Sequence, residues 1–110
     1  MTEKQLRQYR DIKNERDHLQ SLVREINVLR VERDPSSVLL RNYDESIRNL
    51  NNQLIAIENA IETLEPRERQ AIRLHYIDGL TWEEVGYKMY YERSQIFRIR
   101  KTAIEKLKNV

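Results

Sequence analysis

The stretch LTWEEVGYKMYYERSQIFRIRK, Leu80 to Lys101, decides how this chain is read. Thr81-Trp82-Glu83-Glu84 has the form of a capping box. The Thr81 hydroxyl can accept the Glu84 N–H, and the Glu84 carboxylate can accept the Thr81 N–H in return. The spacing predicts a short helix over 82–89, a tight turn, and a last helix over about 93–107. Short helix, turn and second helix make a helix-turn-helix pattern. Tyr90-Tyr91 puts two bulky rings at the turn, where a residue tolerant of positive φ is expected.

The last helix carries two faces. Ile96, Ile99, Ala103, Ile104 and Leu107 fall at core spacing. Arg93, Gln95, Arg98 and Lys101 avoid that face. From Arg93 to Lys108 there are six basic residues against Glu105 alone, in a chain of net charge +2. A positive field confined to one segment points to an anionic partner, and double-stranded DNA is the partner that the motif suits. In a helix-turn-helix the second helix enters the major groove and the first crosses the backbone. Ser94 and Gln95 in the first turn have the best reach to base edges. Arg98, one turn on, suits guanine O6 and N7. Lys101, Lys106 and Lys108 lie toward the far end, where phosphates are the better target. Arg100 stands close to the core face.

Upstream, a helix is expected over 66–77, with Pro66 at its first turn and Asp78-Gly79 at its end. Before it, Leu40, Tyr43, Ile47, Leu50, Leu54, Ile57, Ile61 and Leu64 follow each other in alternating steps of three and four. This is a heptad seam sustained for over three repeats. Asn51 and Asn52 lie off that seam and are expected to face solvent. A first amphipathic segment, from about residue 2 to 33, carries Leu6, Tyr9, Ile12, Leu19, Leu22, Val23, Ile26 and Leu29, with a gap in its stripe at Glu15-Arg16. Asp34-Pro35-Ser36-Ser37 breaks the two apart. The fold class is therefore all-α. A helical hairpin or coiled coil over 1–64, turning near 34–37, precedes a helix-turn-helix domain over 65–110. The seam fits a hairpin within the chain or a homodimer.

Leu64 to Leu107, about two fifths of the chain, resembles region 4 of bacterial sigma-70-type factors, the domain that reads the −35 promoter element. LEPRERQAIRLHYIDGLT is similar to that family's first helix, TWEEVGYKM to its capped supporting helix, and ERSQIFRIRKTAIEKL to its recognition helix. The resemblance implies base contacts from Arg93, Ser94, Phe97 and Arg98. Two positions depart from the family. Phe97 stands where a basic residue is common, which suits contact with a thymine methyl or packing on a partner. Ser94 stands where an acidic residue is common. Tyr90 falls where the family's turn often has Gly, and Tyr91 where an apolar residue plugs the core. The rest of the chain has no counterpart of the aromatic region that melts the −10 element. Duplex recognition without melting suits an accessory regulator acting with host RNA polymerase or a sigma factor. In length and layout the chain resembles small phage and prophage transcription regulators of Gram-positive hosts.

The remaining residues narrow the function by exclusion. There is no Cys, so no disulfide framework, thiolate metal site or cysteine nucleophile can form. His18 and His75 stand alone and read as surface or packing residues. Trp82 reads as a core residue or lid, and Tyr87 and Tyr90 as exposed. No nucleophile–base pair, phosphate loop or spaced carboxylate pair is present, so no enzyme, cofactor or metal is expected. No apolar run is long enough to span a bilayer, and a cytoplasmic location is expected. Two other functions fit less of the pattern: an adaptor binding RNA polymerase or a sigma factor without DNA contact, and a phage packaging protein of the terminase small-subunit type.

Overall fold

The computed structural model describes residues 1–29 and 36–110, and the side chains of all of these except Ser36. The described residues form helices and no strands, so the chain is all-α. They are α1 (Glu3–Leu29), α2 (Ser36–Glu62), α3 (Pro66–Ile72), α4 (Trp82–Met89) and α5 (Arg93–Lys108). The expected break at Asp34-Pro35 lies outside the described residues. No described helix is long and apolar enough to cross a membrane.

Two compact units emerge. One comprises Asp11–Ile55 and the other Met1–Arg10 with Ala56–Val110. Within the first unit, α1 and α2 run antiparallel. Arg16 reaches Asn51, while Val23 and Asn27, further along α1, share a cleft with Leu40 and Asp44, further back along α2. Leu40, Leu50 and Leu54 of the heptad seam are buried, and Tyr43 and Ile47 half-buried, within a single chain. Asn51 departs from expectation. It is half-buried, and its side-chain oxygen accepts from Arg16 Nη1 at 3.1 Å. Arg16 also bonds Asp17 at 3.0 Å. The gap in the α1 stripe is thus bridged by a polar pair, because a long guanidinium can reach across where no apolar side chain is present. Leu29, expected on the buried stripe, is exposed.

The second unit joins the first turns of α1 to the carboxy-terminal half. Leu6 is fully buried there with Ile61, Ile72 and Leu107. Glu3 accepts from Tyr76 Oη at 2.9 Å and from Arg100 Nη2 at 3.3 Å. Sequence pattern alone assigned residues 3–10 to the hairpin, since periodicity shows which face is buried and not what buries it.

α3 is shorter than the expected helix over 66–77. Arg73–Ile77 continue it as a π-helical turn, in which the Asp78 N–H reaches back to Arg73 O at 3.0 Å. Gly79 follows at φ +80°. The Leu80 N–H then closes on Leu74 O at 3.0 Å, six residues back. The usual closing bond of such a cap spans five, so the wider turn accounts for the additional residue. His75 locks this end: its Nδ1 lies 2.6 Å from Leu80 O. A carbonyl only accepts, so Nδ1 carries the proton.

Candidate nucleic-acid interface

α4 begins at the capping box read from the sequence. The Glu84 N–H donates to Thr81 Oγ1 at 3.1 Å, and the Thr81 N–H donates to Glu84 Oε1 at 3.3 Å. The helix ends at Tyr90, which adopts φ 61°, ψ 37°. This is the left-handed conformation that the turn requires, and the ring is 95% exposed. The Tyr91 N–H closes the turn on Gly86 O at 2.9 Å. The Tyr91 ring, expected in the core, is half-buried against it. α5 then starts with Glu92 as its cap residue, whose N–H donates to Gln95 Oε1 at 2.9 Å. Ile96 and Val85 meet in the core with Ala71 and Leu74. Gly86 makes the close approach possible: a Cβ there would stand 3.1 Å from both Ile96 Cγ1 and Tyr91 O.

This packing leaves Arg93, Ser94, Gln95, Phe97, Arg98, Lys101 and Lys106 exposed along α5. The cations of the helix then divide into two groups. Arg100 is half-buried, pairs with Glu3 at 3.3 Å and lies over the Trp82 ring at 5.1 Å. Lys106 pairs with Glu68 at 2.9 Å. Arg93, Arg98, Lys101 and Lys108 have no carboxylate partner among the described residues. An unpaired cation on a rigid helix keeps its full field for an external anion. Arg93, Phe97 and Lys101 follow at four-residue steps and so share one stripe. The Arg93 guanidinium lies 5.4 Å from the Phe97 ring centroid.

The capping oxygen of Gln95 is already committed to Glu92, which limits the base-reading role expected of that side chain to its amide NH2 end. Among the described residues there is no group of three or more His, Cys, Asp or Glu able to hold a metal.

Residues 3–109 match the model of a family described as a protein of unknown function, DUF722. The chain belongs to this family. No curated protein and no solved structure matches it.

The structure of this family member adds one cation that sequence reasoning passed over. Arg67, exposed on α3, lines a cleft with Arg98, Gln95, Ile99 and Tyr91. Only the α3–α5 packing brings it beside Arg98. The signal available in the sequence was its place immediately after the helix-starting Pro66. The aromatic cluster behind the site is also explicit. His75 stacks on Trp82, with centroids 4.1 Å apart and planes at 18°, and Tyr76 meets Trp82 edge-on at 5.9 Å. Trp82 is half-buried, as a lid over this cluster. Burial holds the His75 imidazole below its ordinary pKa, against its bond to Leu80, with the nearby Arg100 charge adding to the depression. A neutral ring is therefore packed there. His18 is exposed on α1.

Proposed function

We propose that this protein is a sequence-specific, double-stranded-DNA-binding transcription regulator that acts with host RNA polymerase. The observation that carries the reading is the set of unpaired cations on one exposed face of α5, in a helix-turn-helix whose turn and cap are built as the motif requires. Arg93, Ser94, Phe97 and Arg98 take the base-facing positions, and Lys101 and Lys108 those for phosphates. Gln95 joins the first group through its amide NH2. Lys106 stays in the phosphate set with its charge partly neutralised by Glu68. The resemblance of Leu64–Leu107 to sigma region 4 supports the same reading and supplies the polymerase as partner. A homodimer belongs to the proposal. Because the heptad seam is covered within the chain, the second copy docks through another surface.

Gel-shift titration of the full chain on phage and host-promoter duplexes at low salt tests the reading. Retarded duplex that is lost on raising the salt supports it; absence of any retarded duplex refutes it.

One observation favours a second reading. Tyr87 and Tyr90 are 87% and 95% exposed beside Glu83, Glu84 and Glu92, a surface of the wrong sign for DNA. An adaptor that binds polymerase or a sigma factor through this surface would co-purify with it even as Arg98→Ala. A DNA-dependent association would weaken with that change.

A further inference from the structure

Phe97 is anomalous on the face that carries it. It is a large apolar side chain, 44% exposed, in the middle of a stripe whose neighbours one turn away are Arg93 and Lys101. Neither cation has a carboxylate partner among the described residues. The Arg93 guanidinium, 5.4 Å from the ring centroid, holds the ring against the helix surface. One side of Phe97 lines the groove toward Tyr87 and Ile96, and the rest faces outward with the cations.

The surroundings decide what such a ring can meet. An apolar protein surface seated on Phe97 would also cover Arg93 and Lys101 and strip their hydration with no counter-charge in return. A DNA major groove makes no such demand. Its base-edge acceptors and phosphate wall meet Arg93 and Lys101, while its floor offers a single apolar group to a side chain, the 5-methyl of thymine. The step from Phe97 to Lys101 along the stripe matches floor and wall.

We infer that Phe97 reads the 5-methyl group of a thymine in the bound site, with Arg93 at a neighbouring base edge and Lys101 gripping a phosphate one turn on. The inference rests on the DNA-binding reading above and adds a base preference to it. It assigns Phe97 to specificity, since the contact disappears when the methyl is absent and every hydrogen-bonding edge of the base is unchanged.

The test uses the full chain and a duplex recovered by selection from a random-sequence double-stranded library at low salt. Each thymine of that duplex is replaced singly by deoxyuridine, which deletes only the methyl, and affinity is measured by fluorescence anisotropy. Deoxyuridine at one position, or at two adjacent ones, is expected to weaken binding about fourfold, the equivalent of one methyl-sized group at ~0.8 kcal/mol. Phe97→Ala should bind the thymine and uracil duplexes equally, whereas Arg98→Ala should bind more weakly and still discriminate. If duplexes are recovered but no single replacement changes wild-type affinity, the inference fails and the DNA-binding reading stands. It fails likewise if Phe97→Ala discriminates as the wild type does. If no duplex is recovered at all, the DNA-binding reading fails first, and this inference with it.

Discussion

Glu68 Oε1 accepts from two donors at once, the Glu65 N–H at 3.0 Å and the Lys106 ammonium at 2.9 Å, while Glu68 itself is only 5% exposed. One carboxylate therefore caps α3 and ties the far end of α5 to it. Lys106→Ala should leave that buried charge with its backbone donor alone. The expected cost is ~1–3 kcal/mol in urea unfolding, toward the lower end because Lys106 is itself half exposed. Lys106→Met, which keeps the alkyl stem, should lose nearly as much; a Met variant as stable as wild type would assign the loss to packing.

Tyr90 is the one non-glycine residue at positive φ among those described. A left-handed L-residue costs roughly 1–2 kcal/mol, and its exposed ring has little packing to lose. Glycine removes that strain but adds about 0.5–1 kcal/mol of unfolded-state freedom. Tyr90→Gly should therefore raise stability by up to about 1 kcal/mol, seen as a higher thermal midpoint. A lower midpoint would mean that the ring contributes more than its exposure indicates.

Gly86 responds in the opposite sense. Any side chain there meets Ile96 and the Tyr91 carbonyl, and the carbonyl is backbone fixed by the turn. Gly86→Val should cost ~2 kcal/mol or more by overpacking and should spread α4 from α5. Denaturant unfolding reads the first effect, and loss of duplex affinity beyond the fraction unfolded reads the second.

Stability should fall as the medium is acidified, in two stages. His75 has its folded pKa below the ordinary 6.5, chiefly through burial. As pH drops through the unfolded value, the unfolded chain takes up a proton that the folded chain resists, so stability present above about 6.5 declines below it. Glu3 acts lower down. Burial alone would raise its carboxyl, but hydrogen bonds from Tyr76 and Arg100 and the Arg7 charge outweigh that and hold it below 4.5. Its contribution is present above that value and is lost as pH falls through its lower folded pKa. Tyr76, the donor to Glu3, is pushed well above the usual phenol range, largely by burial, and stays protonated throughout. Chemical denaturation across pH should show both stages, and His75→Gln should flatten the upper one. An upper stage unchanged in His75→Gln would assign it to another group.

Much of the architecture was legible in the sequence, for identifiable reasons. Pro66, the Thr81–Glu84 box and the 3/4 spacing of Ile96, Ile99, Ala103 and Leu107 are local signals, and the helices they mark begin where expected. The widened turn at Arg73–Ile77, where His75 Nδ1 meets Leu80 O, had no such signal. The Arg16–Asn51 pair and the Glu3–Tyr76 bond were likewise invisible. Each depends on a partner more than thirty residues away, and periodicity records only that a face is covered. On α5 the sequence showed how many cations there are. It could not show which were already paired, since Glu3 and Glu68 come to Arg100 and Lys106 only through the fold.

That division of cations is the central claim, and the salt dependence of duplex affinity tests it most directly. Each phosphate neutralised contributes about −0.9 to the slope of log K against log salt. With Arg93, Arg98, Lys101 and Lys108 available, the slope should be roughly −2 to −4, and Lys101→Ala should make it shallower by ~1. A slope near zero, or no duplex binding at low salt, would contradict the account.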